Sequence, residues 1–160
     1  MKTVVVYYSR YGTTRTIAQT LAAELQAEVR EIKAVRERGF LGMGLRAVCG
    51  IPMGIRPMDL DFAGVERIVL CTPIWAGKPA VPVRTFLKEA QLEGKKLAVL
   101  FTTGGGKTGR AREMIRNSLA GKRVEVTFLG EIVTRKLGED QLRTEARELA
   151  RALQGRINQD

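Results

Sequence analysis

Histidine is absent from this sequence of 160 residues, and cysteine occurs only twice. Without histidine the chain cannot use a Ser-His-Asp or a Cys-His nucleophile, and a typical zinc site is disfavoured because histidine is one of the usual zinc ligands. Cys49 and Cys71 form no CxxC pair, so neither a disulfide framework nor a cysteine metal site is indicated. We therefore expect no metal site and no histidine-dependent nucleophile.

Long hydrophobic runs are absent as well. No apolar stretch approaches the roughly 18 residues that a membrane-spanning helix needs, and the N-terminal segment MKTVVVYYSR becomes polar too early for a signal peptide. The composition, with 44% hydrophobic and 28% charged residues, is that of an ordinary globular domain. We expect a single domain over residues 1–160, without a transmembrane segment and located in the cytoplasm.

Acidic residues are scarce relative to basic ones. The chain has 17 aspartates and glutamates against 27 lysines and arginines, which gives a formal net charge of +10. This positive charge raises the local concentration of acidic proteins, anionic lipid surfaces and nucleic acid alike. Nucleic acid is disfavoured as a partner because the basic residues are not interleaved with aromatic residues that could stack on bases.

What the sequence does contain is a regular alternation of apolar runs and amphipathic segments. Residues 3–8 form a β-branched and aromatic run, typical of a strand buried on both faces of a parallel sheet, and residues 14–26 carry apolar side chains at helical spacing. Further strands are predicted at 28–34, 67–71, 97–101 and 124–133, and further helices at 79–90, 109–119 and 139–153. The alternation predicts an α/β fold, a doubly wound parallel sheet of five strands with helices on both faces.

Residues 36–57 do not fit this alternation. The segment RERGFLGMGLRAVCGIPMGIRP is rich in glycine and apolar residues but has no sustained period. We expect an irregular excursion in place of the second helix. This excursion is predicted to form a mobile or partner-dependent flap. The alternatives are a covering that packs on the sheet and a contact in a homodimer.

Three loops follow strands at the edge where doubly wound sheets bind ligands, outside the carboxyl ends of the strands. The first loop suits a phosphate group, because Gly12 permits a tight turn and the amides of the next helix can face the anion. The alternative is an ordinary strand-to-helix turn with a threonine cap. The candidate binding residues of this loop are Ser9, Arg10, Tyr11, Gly12, Thr13 and Thr14.

The second and third loops suit a flat ring. Trp75, the only tryptophan, can present an apolar face for stacking, and the alternative is a surface aromatic that covers the adjacent helix. The glycines of both loops let the backbone approach a ring closely, although glycine runs are also common in flexible turns. The candidate residues are Thr72, Pro73, Ile74, Trp75, Ala76 and Gly77 in the second loop, and Thr102, Thr103, Gly104, Gly105 and Gly106 in the third.

These loops resemble those of the flavodoxin family, and the resemblance spans residues 3–153. Ser9, Gly12 and Thr14 match the family's phosphate loop, in which Tyr11 replaces a hydroxyl residue. The stretch TPIWAGKPAVPVRTFL is similar to the flavin-stacking segment of short bacterial members. The resemblance implies strand order 2-1-3-4-5, non-covalently bound FMN with Trp75 against its ring, and a role in electron transfer without a catalytic residue.

An enzymatic alternative uses the same cofactor. The loop around Tyr11 also resembles that of flavodoxin-like quinone reductases and protoporphyrinogen oxidases, so an FMN-dependent oxidoreductase stays open. A nucleic-acid-binding module that kept the fold has less support. For an electron carrier we expect an acidic redox partner protein or an anionic membrane surface, because a basic stretch begins at the proposed flavin edge. Its bases are Lys107, Arg110, Arg112, Arg116, Lys122 and Arg123.

Overall fold

Strands and helices alternate through the parts of the chain that the computed structural model describes, residues 2–35 and 54–157. The strands are β1 (Thr3–Tyr7), β2 (Glu28–Glu31), β3 (Arg67–Trp75), β4 (Lys78–Pro79), β5 (Lys96–Thr103) and β6 (Glu125–Val133). The helices are α1 (Thr13–Leu25), α2 (Val81–Glu89), α3 (Gly109–Ser118) and α4 (Glu139–Ile157). None of these helices combines the length and the hydropathy that crossing a membrane requires.

The sheet has the order β2-β1-β3-β5-β6, and every neighbouring pair along this path is parallel. The two-residue strand β4 lies off the path and pairs antiparallel with β3. Counted among the parallel strands alone, the order is 2-1-3-4-5, so the predicted α/β sheet and its order are confirmed. After β1 the chain continues to β2 at one edge of the sheet, and after β3 it continues to β5 and β6 on the other side. The topological switch point therefore lies between β1 and β3.

Helices cover both faces of the sheet, and the core is accordingly divided in two. Val4 and Val6 of β1 belong to a cluster under α2 and α3, whereas Val5 and Tyr7 belong to a cluster under α1 and α4. Both faces of β1 are therefore buried, which explains why its sequence is a continuous apolar run rather than an alternating one.

Several element boundaries differ from the predicted ones. Strand β3 continues to Trp75, four residues beyond the predicted end, and β5 continues to Thr103. The ladder between these strands persists through Thr72 and Thr102, whose polar side chains are buried at the strand ends. The apolar run of β3 is interrupted at Thr72, and that of β5 stops at Phe101, so the apolar runs alone did not mark the ends of these strands.

The long excursion is only partly described. Residues 36–53 lie outside the described residues, so the flap predicted for 36–57 stays a prediction. Residues 54–57 return beside the segment that follows β2: Val35 N donates to Gly54 O at 2.9 Å, and Arg56 N donates to Lys33 O at 2.7 Å. Ala34 and Ile55 form an isolated antiparallel bridge here. The strand predicted at 28–34 is therefore shorter than expected: β2 ends at Glu31, and Ala34 pairs with the returning segment instead.

Candidate functional site

A cavity of about 150 Å³ opens at the carboxyl ends of β1, β3 and β5. It brings together residues of all three predicted loops and one residue that the sequence analysis missed, Thr134, which follows β6. The lining residues are Ser9, Arg10, Tyr11, Thr13, Thr14, Pro73, Ile74, Trp75, Thr102, Thr103, Gly104 and Thr134. The other predicted residues, which do not line it, are Gly12, Thr72, Ala76, Gly77, Gly105 and Gly106.

The first loop ends in a helix whose amino terminus is not capped by a side chain. Gly12 is the N-cap residue, with a left-handed φ of 92°, and no side-chain hydrogen bond caps α1. Instead, Gly12 N donates to Ser9 Oγ at 3.1 Å, which closes the turn before the helix. The threonine-cap alternative is therefore wrong, and the amide groups of the first helical turn lack a side-chain acceptor.

A buried hydrogen bond joins the first loop to the third. Thr14 Oγ1 and Thr102 Oγ1 are 2.8 Å apart, and either hydroxyl group can be the donor. Because both side chains are buried, this contact fixes the first turn of α1 against the end of β5. Thr14 thus has a structural partner in addition to its position on the cavity wall.

A second anchor holds the outer side of α1. Arg15 Nη2 donates to Glu31 Oε1 at 2.7 Å, which ties the first helical turn to the end of β2. Arg15 also hydrogen-bonds to the Tyr7 hydroxyl group. Burial raises the pKa of Tyr7 above its ordinary value of 10.0, although the bond from Arg15 acts in the opposite direction. These contacts hold the helix terminus in a defined position at the cavity.

The second predicted loop forms a β-hairpin. Trp75 of β3 pairs with Lys78 of β4 across a two-residue turn. Ala76 and Gly77 both have positive φ, at 48° and 72°, which is the pattern of a type I′ turn. The ladder extends the strand past the core, so Trp75 is carried by a regular element instead of a free loop.

Trp75 forms part of the cavity wall and also contacts the core. Its ring meets that of Tyr8 edge to face, with centroids 5.8 Å apart and an interplanar angle of 81°. Tyr8 is buried, whereas Trp75 is only partly buried against the same cluster. Trp75 therefore packs against the core cluster and lines the cavity at the same time, and its stacking on a bound ring stays a prediction.

The third loop is held in place at both ends. On one side Gly105 N donates to Thr103 Oγ1 at 3.3 Å, and Thr134 N donates to Thr103 O at 2.8 Å. On the other side the buried Thr108 hydroxyl donates to the Glu131 carboxylate of β6. The glycine run between these anchors is a constrained turn, with Gly105 at a φ of 113° that favours glycine.

The described lining of the cavity contains few ionisable groups. Arg10 and Tyr11 are the only ones, and the Tyr11 side chain is 69% exposed at the rim. Cys71 lies in β3 below the site, where complete burial raises the pKa of its thiol to about 12, so it is not a reactive thiolate. The uncapped helix terminus suits an anion and the wall beside Trp75 suits a flat ring, and none of the described lining residues is a carboxylate.

No protein-family model matches this sequence. An uncharacterized protein from Archaeoglobus fulgidus is 29% identical to it over 111 residues, which are 69% of this chain and 72% of the relative.

Solved structures with the same architecture include a flavoprotein in complex with FMN from Lactobacillus acidophilus. It superposes with a TM-score of 0.69 at 22% identity, over 81% of this chain and 92% of the other. A flavodoxin from the domain Archaea gives a TM-score of 0.60 at 18% identity, over 96% of this chain and 99% of that one. The chain has a flavodoxin-like fold.

Flavodoxin 2 from Bacillus cereus, in its oxidised form, is similar over 95% of this chain and 99% of its own, with a TM-score of 0.56 at 18% identity. At such identities the likeness concerns the fold. In a flavodoxin-like sheet the crevice beside the switch point is the expected ligand site, and the cavity of this chain lies there, beyond β1 and β3.

Proposed function

We propose that this chain binds FMN without a covalent bond and transfers electrons through it. The observation that carries the proposal is the convergence of three separate loops on one cavity, with an uncapped helix terminus and a tryptophan in its walls. The flavodoxin-like neighbour crystallised with FMN supports the choice of cofactor.

The phosphate group of FMN would bind at the amino terminus of α1. The amides after Gly12 have no side-chain acceptor, and the positive end of the helix dipole favours an anion there. Ser9 Oγ accepts a bond from Gly12 N and keeps its own hydrogen for donation. The hydroxyl of Thr13 lies on the same wall. No lysine is required in this arrangement.

The ring of FMN would lie between Trp75 and the backbone near Gly104. Both residues line the cavity, and the hairpin and the anchored third loop hold them in position. When bound, FMN supplies the redox chemistry, and the protein supplies the binding, orientation and electrostatic environment. The described part of the cavity, at about 150 Å³, is smaller than the roughly 300–1,000 Å³ of enclosing ligand pockets. One edge of the ring would therefore stay accessible to a partner.

An electron carrier is favoured over a substrate-specific oxidoreductase by the chemistry of the lining. Among the described lining residues only Arg10 and Tyr11 are ionisable, so no carboxylate or histidine is placed to move a proton to or from a substrate. Turnover of a quinone with a nicotinamide donor and no partner protein would support the enzymatic alternative instead.

The partner we propose is an acidic redox protein, with an anionic membrane surface as the alternative. Lys107 and Arg110 are exposed beside the third loop and can face such a partner. Arg112 and Arg116 are less free, because their guanidinium groups lie 5.1 and 5.0 Å from the centre of the Phe128 ring. The basic surface proposed to contact the partner therefore consists mainly of Lys107 and Arg110, and it is smaller than the basic stretch in the sequence.

A charge-reversal experiment tests this surface. Lys107→Glu with Arg110→Glu should slow electron transfer from the reduced protein to ferricyanide, an anionic acceptor, and should weaken its dependence on salt. Lys2→Glu with Lys95→Glu, at the opposite end of the sheet, is the matched control. An equal rate and salt slope in both double variants would contradict the docking surface.

The cofactor proposal is tested by mixing the purified protein with FMN and then desalting it. The flavin absorption band should stay with the protein. A spectrum without flavin after desalting would contradict the proposed function.

A further inference from the structure

A row of charged residues crosses the sheet at the amino ends of the strands, opposite the cavity. Arg67 of β3 pairs in register with Lys96 of β5, which in turn pairs with Glu125 of β6. Two residues further along their strands, Val69 and Ala98 pack in the core cluster that α4 covers. Because side chains two residues apart share a face, the row points toward α4.

Arg67 is unusual in this row. Its side chain is buried, with only 5% of the residue exposed, yet its Nη1 atom has no hydrogen-bond partner within residues 2–35 and 54–157. An unsatisfied donor on a buried charged group is costly, and the residue opposite Arg67 in the register, Lys96, is also a cation. Nearly all buried polar groups in proteins are satisfied by some partner, so this atom calls for one.

Arg67 lines a small cavity of about 70 Å³. Lys96, Glu125 and Thr127 are the other polar residues of its lining, and Leu153 of α4 lines it as well. Two cations and one carboxylate leave this wall with a net positive charge. The cavity thus combines small size, a hydroxyl group and an unsatisfied planar donor.

We propose that Arg67 and Lys96 form a binding site for an oxyanion, a carboxylate or phosphate group. A guanidinium group matches the geometry of both, because two of its N–H groups can donate in parallel to two oxygens. The anion would come from solution, would accept a hydrogen bond from Arg67 Nη1 and would interact favourably with both cations.

Thermal unfolding in phosphate, compared with chloride at equal ionic strength, tests the site. Excess FMN is present in every sample so that phosphate does not compete at the cofactor site. For a free anion, phosphate should raise the midpoint of the wild type by about 3–6 °C at ten times its dissociation constant. Lys96→Gln and Arg67→Gln should lose this rise, whereas the matched control Lys2→Gln should keep it. If Arg67→Gln does not fold, Lys96→Gln decides.

Amide NMR shifts near Arg67, Lys96 and Thr127 on addition of phosphate should report the same site directly. The proposal is overturned if phosphate does not stabilise the wild type, or if Lys96→Gln gains as much stability from phosphate as the wild type does.

Discussion

Trp75 connects the hydrophobic core to the candidate cofactor site. Its ring packs edge to face against the buried Tyr8, and the residue also lines the cavity. A residue in such a position is partly immobilised before any ligand arrives. Stacking on it would therefore cost little additional side-chain entropy.

Replacing Trp75 should weaken FMN binding without unfolding the protein. Trp75→Ala is expected to cost about 1–3 kcal/mol of binding free energy, the scale of a lost aromatic stack. Trp75→Phe, which keeps a flat ring, should lose less. Calorimetric titration with FMN measures both variants. Collapse of the circular dichroism spectrum of Trp75→Ala would show instead that the residue serves mainly the core.

Cys71 makes a pH-dependent contribution to stability. Burial raises the pKa of its thiol from 9.0 to about 12, so between these values the unfolded chain loses a proton that the folded chain keeps. The contribution is present below pH 9 and is lost as pH rises, at about 1.4 kcal/mol per pH unit for one thiol. Urea titrations should therefore show a steeper loss of stability above pH 9 in the wild type than in Cys71→Ala. Parallel curves would contradict the assigned pKa.

Most of the candidate site could be predicted from its residues, because Gly12, Trp75 and the glycine run each carry a local reason for ligand binding. Thr134 could not, since a single threonine after the last strand has no motif around it. The partners of buried hydroxyl groups, such as Thr14 with Thr102, were also out of reach. They depend on how distant segments meet in space.

At the scale of elements, the hairpin formed by β3 and β4 is the main feature that the sequence did not indicate. Its turn residues are Ala76 and Gly77, whereas type I′ turns are usually recognised by Asn-Gly or Asp-Gly. Pro79 in β4 also argued against a strand, and it was assigned instead to a helix that begins at Val81. Longer elements with a clear period, such as α1, were predicted to within a residue or two.

The hairpin turn can be stabilised by one substitution. Ala76 adopts a left-handed conformation that costs an alanine roughly 1–2 kcal/mol, whereas asparagine tolerates it better. Ala76→Asn should raise the free energy of unfolding by about 0.5–1 kcal/mol, the usual gain from a conformationally compatible replacement. Urea denaturation measures the change, with Ala120→Asn as an exposed control outside that conformation. A loss of stability in Ala76→Asn would contradict the turn assignment.

At the scale of the whole molecule, the sequence predicted the alternation of strands and helices and therefore the parallel sheet. The order of the strands came from the resemblance to flavodoxins, because alternation alone permits more than one order. The structure gives that order and separates the molecule into two ends. The carboxyl end holds the candidate cofactor site, and the amino end holds the charged row of Arg67, Lys96 and Glu125.

The central claim is that the loop from Ser9 to Thr14 binds the phosphate of FMN while the ring lies beside Trp75. Calorimetric titration with FMN and with riboflavin, which has the same ring but no phosphate, tests it most directly. The account predicts that FMN binds and that riboflavin binds at least tenfold more weakly, a difference of about 1.4 kcal/mol or more. Equal affinity for the two flavins would contradict the phosphate site, and no heat of binding with either would contradict the proposed function.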